Sequence, residues 1–228
     1  MGARFQRDRM IRTDRLVKKG IKEAKKFFRE QEERILADMQ KSAKIEVKSF
    51  NELDELWATV EIIEPMLYNS VMQGIKGVGE YFAPAGFILN EKWISQWVAR
   101  IAIKESRMIT QTTQNELIKT IAEGNALGEG SVKIADRVRE VFDFATETRS
   151  MLIARTETAR GMSEAQIRNY EQMGYEQLKW WLSDDACEIC QDLSEQEWDI
   201  NNSSGVQPVH PNCNCSFVPK GSLLSQLD

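Results

Sequence analysis

From about Arg12 to Lys41 the apolar positions Leu16, Ile21, Ala24, Phe28, Ile35 and Met39 recur at helical spacing, interrupted only by Gly20. The pattern predicts a long amphipathic helix. Ser49 or Asn51 is placed to cap a second helix, in which Leu53, Leu56, Trp57, Val60 and Ile63 repeat until Pro65 bends or restarts it, ending near Gln73. Residues 74–89 carry four glycines and a proline, which reads as a connector. Asn90 is an N-cap for a third helix with Trp93, Trp97, Ile101, Met108, Leu117, Ile118 and Ile121 as its buried stripe, closing at Gly124 and Gly128. The two tryptophans, four apart, suit a packed core better than an exposed binding face. Ser131 caps a short helix containing Val132, Ile134, Val138, Val141 and Phe142, and a further helix from about Thr146 to Met173 stops at Gly174.

Beyond Gly174 the period changes. Tyr175 to Ser183 is rich in aromatics with rough alternation, Cys215 to Val218 reads as a closing strand, and a small hairpin is expected around Trp198 between Gln191 and Gln207. The expected fold class is therefore mainly α with a small C-terminal β-rich module (α+β). The segments are a basic amphipathic helix over 1–50, a helical body over 51–174, the β-rich module over 175–219 and a tail over 220–228.

Composition narrows the function classes. With 42% hydrophobic and 29% charged residues, the 228-residue chain has no apolar run long enough to span a bilayer, and no apolar run follows its opening residues as a secretory signal would. The net charge of −5 hides an asymmetry: residues 1–50 hold 15 basic against 8 acidic side chains, leaving 15 against 27 for the rest. Arg12, Arg15, Lys18, Lys19, Lys22, Lys25 and Lys26 are the candidate contacts for phosphates or an acidic partner. Acidic residues such as Asp14, Glu23 and Glu30 interleave them and offer local ion pairs on a solvated face.

The most specific chemistry lies near the C-terminus. All four cysteines and the only histidine fall within 29 residues, as Cys187-x-x-Cys190 and, after 19 intervening residues, His210-x-x-Cys213-x-Cys215. Two short turns bearing soft ligands complete a tetrahedron, and Zn2+ fits that donor set best. Cys187, Cys190, His210 and Cys213 form the first-choice set, with Cys215 able to replace Cys213 or His210. Two disulfides and a Cys–His nucleophilic pair are the competing readings; the first needs an oxidising compartment and the second an orienting partner. A module of some 40 residues seldom stands on its own core, so a structural ion that staples it is expected to order it.

The run Ala154-Arg155-Thr156-Glu157-Thr158-Ala159-Arg160, then Gly174-Tyr175, Lys179-Trp180, Asp185 and the cysteine–histidine cluster resembles the phage Mu F-like minor head protein domain, also described as the SPP1 head-morphogenesis type. The resemblance covers about 105–219. It implies a minor structural protein of tailed-phage or prophage particles that associates with portal and capsid proteins and aids head morphogenesis or DNA delivery. A virion location, with the host bacterial cytoplasm during assembly, and an oligomer around the portal follow from the same resemblance. It singles out Arg155, expected to bond a carbonyl or carboxylate near the ligands, and Glu157, expected to accept a hydrogen bond from His210; an ordinary interhelical ion pair is the alternative for both. The chain departs from the family at Asn214, where arginine is usual, and at Ser194, where glycine is frequent.

No catalytic constellation is legible. There is no second histidine, no phosphate-cradling glycine loop and no paired-carboxylate motif. A zinc- or thiol-dependent hydrolase is the alternative reading, as is a non-specific DNA-binding protein acting through residues 1–50. A base-reading zinc finger is disfavoured, since residues 191–209 contain no lysine or arginine.

Overall fold

In the computed structural model, residues 2–41, 50–82 and 90–221 are described. The chain is mainly helical, with a small three-stranded sheet near its C-terminus. Its elements are α1 (Gly2–Lys41), α2 (Glu52–Phe82), α3 (Glu91–Ala126), α4 (Ser131–Phe144), α5 (Ser150–Gln172), β1 (Gln177–Trp181), α6 (Glu188–Ser194), β2 (Glu197–Asp199) and β3 (Ser216–Pro219). A π-helical turn, Ala145–Arg149, joins α4 to α5. Contacts divide the chain into two compact units, Met1–Lys19 with Met66–Gln96 and Leu152–Asp228, and Gly20–Pro65 with Trp97–Met151.

Among the described residues, the elements of the second unit are all helices. Phe28, Ile35, Val60, Ile63, Val98, Leu117, Val138 and Phe142 are among its buried side chains. Several polar residues share its buried faces. Glu55 accepts hydrogen bonds from Gln31 (2.8 Å) and Arg34 (2.8 Å), the hydroxyls of Thr59 and Thr110 meet at 3.2 Å, and Arg149 donates to Thr113 Oγ1 (3.0 Å) and the Ile109 carbonyl (3.2 Å). These pairings explain where the apolar periodicity misleads. Leu53 and Trp57 on α2, and Met108 and Ile118 on α3, are exposed, because the inward positions go to Glu55, Thr59, Thr110 and Thr113, whose polar atoms find partners there. Val132, expected inside α4, is exposed for its part, while Ile134, Val138 and Phe142 form the buried stripe.

In the first unit α2 and α5 approach closely at two glycines. A Cβ on Gly74 would lie 2.8 Å from the Ala165 Cβ and from the Met162 carbonyl oxygen, and one on Gly161 would lie 2.7 Å from the Ser70 Cβ and 3.0 Å from the Leu67 carbonyl. Gly74 thus serves packing and not a turn. This corrects the expected connector: α2 passes through Pro65 and continues to Phe82, and only the later part of that expectation, residues 83–89, lies outside the described residues. Ser49 as a cap also lies outside them; Asn51 Oδ1 accepts from the Leu53 amide (3.2 Å). Asn90 caps α3 as expected, accepting from the Trp93 amide at 2.9 Å. Gly128 and Gly174 take positive φ where helices stop, whereas Gly124 stays within α3 and Gly130, not Ser131, precedes α4.

The sheet has the order β2-β1-β3, antiparallel throughout. Trp180 of β1 pairs in register with Phe217 of β3, and their rings meet edge-on at 4.9 Å, with Trp198 of β2 5.3 Å from Phe217. β2 pairs with β1, so the hairpin expected around Trp198 is instead a short helix followed by a sheet strand. Ile167 and Tyr170 of α5 and Val78 of α2 pack with Leu178, Trp180, Ile200 and Phe217 into one buried cluster, which also takes in Cys190, Cys213 and Cys215. The module therefore has an apolar core built with help from the helices, and does not rest on coordination alone. A second small cluster pairs Phe5 of α1 with Val218 of β3, beside Tyr81 and Trp181.

Candidate metal centre

Cys187 precedes α6 and Cys190 sits in its first turn, so a single helical turn turns both sulfurs to one side. The first cysteine pair is thus carried on a helix start. The opposing ligands come from the turn His210-Pro211-Asn212-Cys213, closed by the Cys213 amide donating to the His210 carbonyl at 3.3 Å. Asn212 has φ 68°. Proline followed by a residue tolerant of positive φ is what a type II turn requires, so the Pro-Asn dipeptide builds this half of the site.

The two turns converge. His210 Nε2 lies 3.2 Å from Cys187 Sγ and 3.3 Å from Cys190 Sγ, and Cys190 Sγ lies 3.7 Å from Cys213 Sγ. A tetrahedral zinc ion with its usual bond lengths separates sulfur ligands by about 3.8 Å, and nitrogen from sulfur by about 3.6 Å. His210 Nδ1 lies 2.8 Å from the Pro211 carbonyl oxygen, so a proton there leaves the Nε2 lone pair facing the sulfurs. Among the described residues the donors fall into two overlapping groups, Cys187, Cys190 and His210, and Cys190, Cys213 and Cys215, each with its ligand atoms within 4.8 Å of one another. Cys190 belongs to both. All four cysteines are free thiols. Softness, number and convergence of these donors suit a metal ion.

The thiols are electrically unequal. Hydrogen bonding from Cys213, aided by Ser183, brings Cys215 down to about 5, whereas burial pushes Cys190 up to about 12 and a hydrogen bond to Cys215, with burial, pushes Cys213 up as well. Ser183 approaches Cys215 Sγ through its amide and its hydroxyl, both at 3.5 Å. Metal ligation requires deprotonated thiols, so binding of an ion here would release protons.

A surrounding shell fixes the ligand turns. Arg155 Nη1 donates to Asn212 Oδ1 at 2.7 Å, and the Asn212 amide donates to Thr156 Oγ1 at 3.2 Å, so α5 grips the middle of the His210–Cys213 turn. Asn214 donates to Asp185 (3.0 Å), whose carboxyl is held below its ordinary range chiefly by the Ser183 hydrogen bond. Gln207 Nε2 donates to the Cys215 carbonyl. Arg9 of α1 reaches the carbonyls of Asn214 (3.5 Å) and Cys215 (3.4 Å). Burial lowers its pKa, while the Tyr170 phenol and the Cys215 and Cys213 thiols pull it back up.

The structure brings Cys187, Cys190, His210, Cys213 and Cys215 together, with Arg155 against the turn. The acceptor of Arg155 is the side-chain carbonyl oxygen of Asn212, beside the converging donors. Glu157 is buried and accepts from Arg160 at 3.0 Å, and the neighbour found for His210 Nδ1 is the Pro211 carbonyl. Thr156, Asn212, Ser183, Gln207 and Arg9 were not found by sequence reasoning; the Arg-Thr-Glu run and the Pro-Asn dipeptide held the signal for the first two.

Arg12 pairs with Glu80, Lys25 with Glu147 (2.8 Å) and Lys26 with Glu30 (3.6 Å), while Arg15, Lys18, Lys19 and Lys22 are exposed. Among the described residues no helix is long and apolar enough to cross a membrane.

No curated protein and no solved structure gives a significant match to the chain. Residues 111–218, slightly under half of the chain and including all five converging donors with Arg155 and Thr156, match the family described as Phage Mu protein F like protein, and over this stretch the chain is similar to that family.

Proposed function

We propose that the protein is a structural component of a phage head, acting in head morphogenesis, whose C-terminal module is fastened by a zinc ion held by Cys187, Cys190, His210 and Cys213. The observation that carries this reading is that the family match over 111–218 takes in the whole converging donor set together with the α5 residues that brace it. A site closed by four protein ligands leaves no position for substrate or water, which favours a structural ion over a hydrolytic one. Bound there, the ion would tie α6 to the His210–Cys213 turn. Particles assembled from portal and capsid proteins supply the partners, and the virion is the place of action. Elemental analysis of the purified protein, together with co-purification against a portal protein, tests both halves. About one zinc per chain and a stable complex are expected; thiols that alkylate freely without metal loss would remove the site, and no complex would remove the portal role.

The exposed Arg15, Lys18, Lys19 and Lys22 on α1 favour a second contact, with packaged double-stranded DNA or an acidic protein face. Counterion release makes phosphate binding fall steeply with salt. Binding to random duplex that weakens steeply with added salt is expected of the DNA case, and salt-insensitive or absent binding refutes it.

A further inference from the structure

Arg9 is nine-tenths buried, at 9% exposure, and among the described residues no carboxylate pairs with it. Its hydrogen bonds run to the main-chain carbonyls of Asn214 and Cys215, and its Nε is buried without a partner. A guanidinium stays charged at all accessible pH, so burying one without a counter-charge is costly. Neutral carbonyls orient it but do not neutralise it. A divalent zinc ion with three thiolates and a neutral imidazole carries a net charge of −1, a matching opposite charge a short distance behind those same carbonyls.

We propose that Arg9 is the charge partner of the metal centre: a positioning residue, supplied by a helix outside the Mu F-like segment, that neutralises the anionic zinc–thiolate cluster and holds the Cys213–Cys215 backbone through two carbonyls. The proposal rests on the metal reading above. It gives the N-terminal helix a stake in the site, because the buried cation is fully compensated only when the ion is bound. The same chemistry selects the donor set. Three thiolates match a single arginine, and four would leave one negative charge over.

The test measures zinc affinity of the full chain by competition with a chromogenic chelator for wild type, R9M, R9Q and R9K, with the visible absorption of the cobalt form reporting the ligands. R9M and R9Q are expected to lose about tenfold or more in affinity, R9K to stay within about threefold of wild type, and the cobalt spectrum to keep its three-sulfur, one-nitrogen character. Wild-type affinity in R9M and R9Q, or an equal loss in R9K and R9M, overturns the charge role and leaves the metal reading standing. A wild-type protein that binds no zinc overturns both. Should the neutral variants fail to fold, R9K decides: retained affinity supports the role, and a tenfold loss overturns it.

Discussion

Arg155 Nη1 stands 2.7 Å from Asn212 Oδ1, so that α5 holds the central residue of the turn presenting His210 and Cys213. A charged donor on a partly buried acceptor contributes about 1.5–3 kcal/mol. R155A is accordingly expected to lower the stability of the zinc-loaded protein by about 2 kcal/mol, read from the denaturant midpoint. N212G, which tolerates the positive φ, should cost less than N212A, which adds strain to the lost bond. Equal losses for these two variants would refute the turn geometry.

Cys190 is the one donor common to both groups. C190S is expected to abolish stoichiometric zinc binding, and C213S to weaken it more than C215S does. Zinc counted by elemental analysis in the three variants checks this, and a C213S protein with full zinc would transfer the fourth place to Cys215.

Chelation has a local signature. Because Leu178, Trp180 and Phe217 are packed with Ile167 and Tyr170, the sheet retains apolar support without the ion. Hydrogen exchange after metal removal should accelerate across 187–194 and 210–215 and change least in β1. Uniform acceleration over 175–219 would show that the ion, and not the apolar cluster, holds the strands.

Gly161→Ala sets two effects against each other. Alanine improves helix propensity by about 1 kcal/mol, but its Cβ would meet the Ser70 Cβ at 2.7 Å and the Leu67 carbonyl at 3.0 Å. Overpacking against backbone costs about 1–3 kcal/mol. The steric cost wins, and thermal melting should fall by several degrees; a rise would mean that α2 and α5 lie farther apart.

The Glu129 carboxyl is depressed chiefly by its hydrogen bond from Arg137. A depressed folded-state value means that this pair's stabilisation is present above the ordinary glutamate range and is lost as pH falls through the lowered value. E129Q should therefore behave like wild type in strong acid and be slightly less stable at neutral pH, in a pH series of melts. An undiminished difference in acid would refute the pairing.

The convergence of the cysteines and His210 was legible because their spacing is local: Cys-x-x-Cys and His-x-x-Cys need only one turn each to bring their side chains together. Periodicity fared worse on α2 and α3, where Glu55, Thr59, Thr110 and Thr113 occupy inward positions that a hydrophobicity count assigns to Trp57 or Met108. Gly74 looked like a turn since composition cannot separate a glycine that bends the chain from one that admits a neighbouring helix. Arg9 left no trace, its acceptors lying 205 and 206 residues away.

Phe5 packs against Val218. The two side chains stand 213 residues apart in the chain, so during synthesis the helix bearing Phe5 waits without this neighbour while all the intervening residues are made.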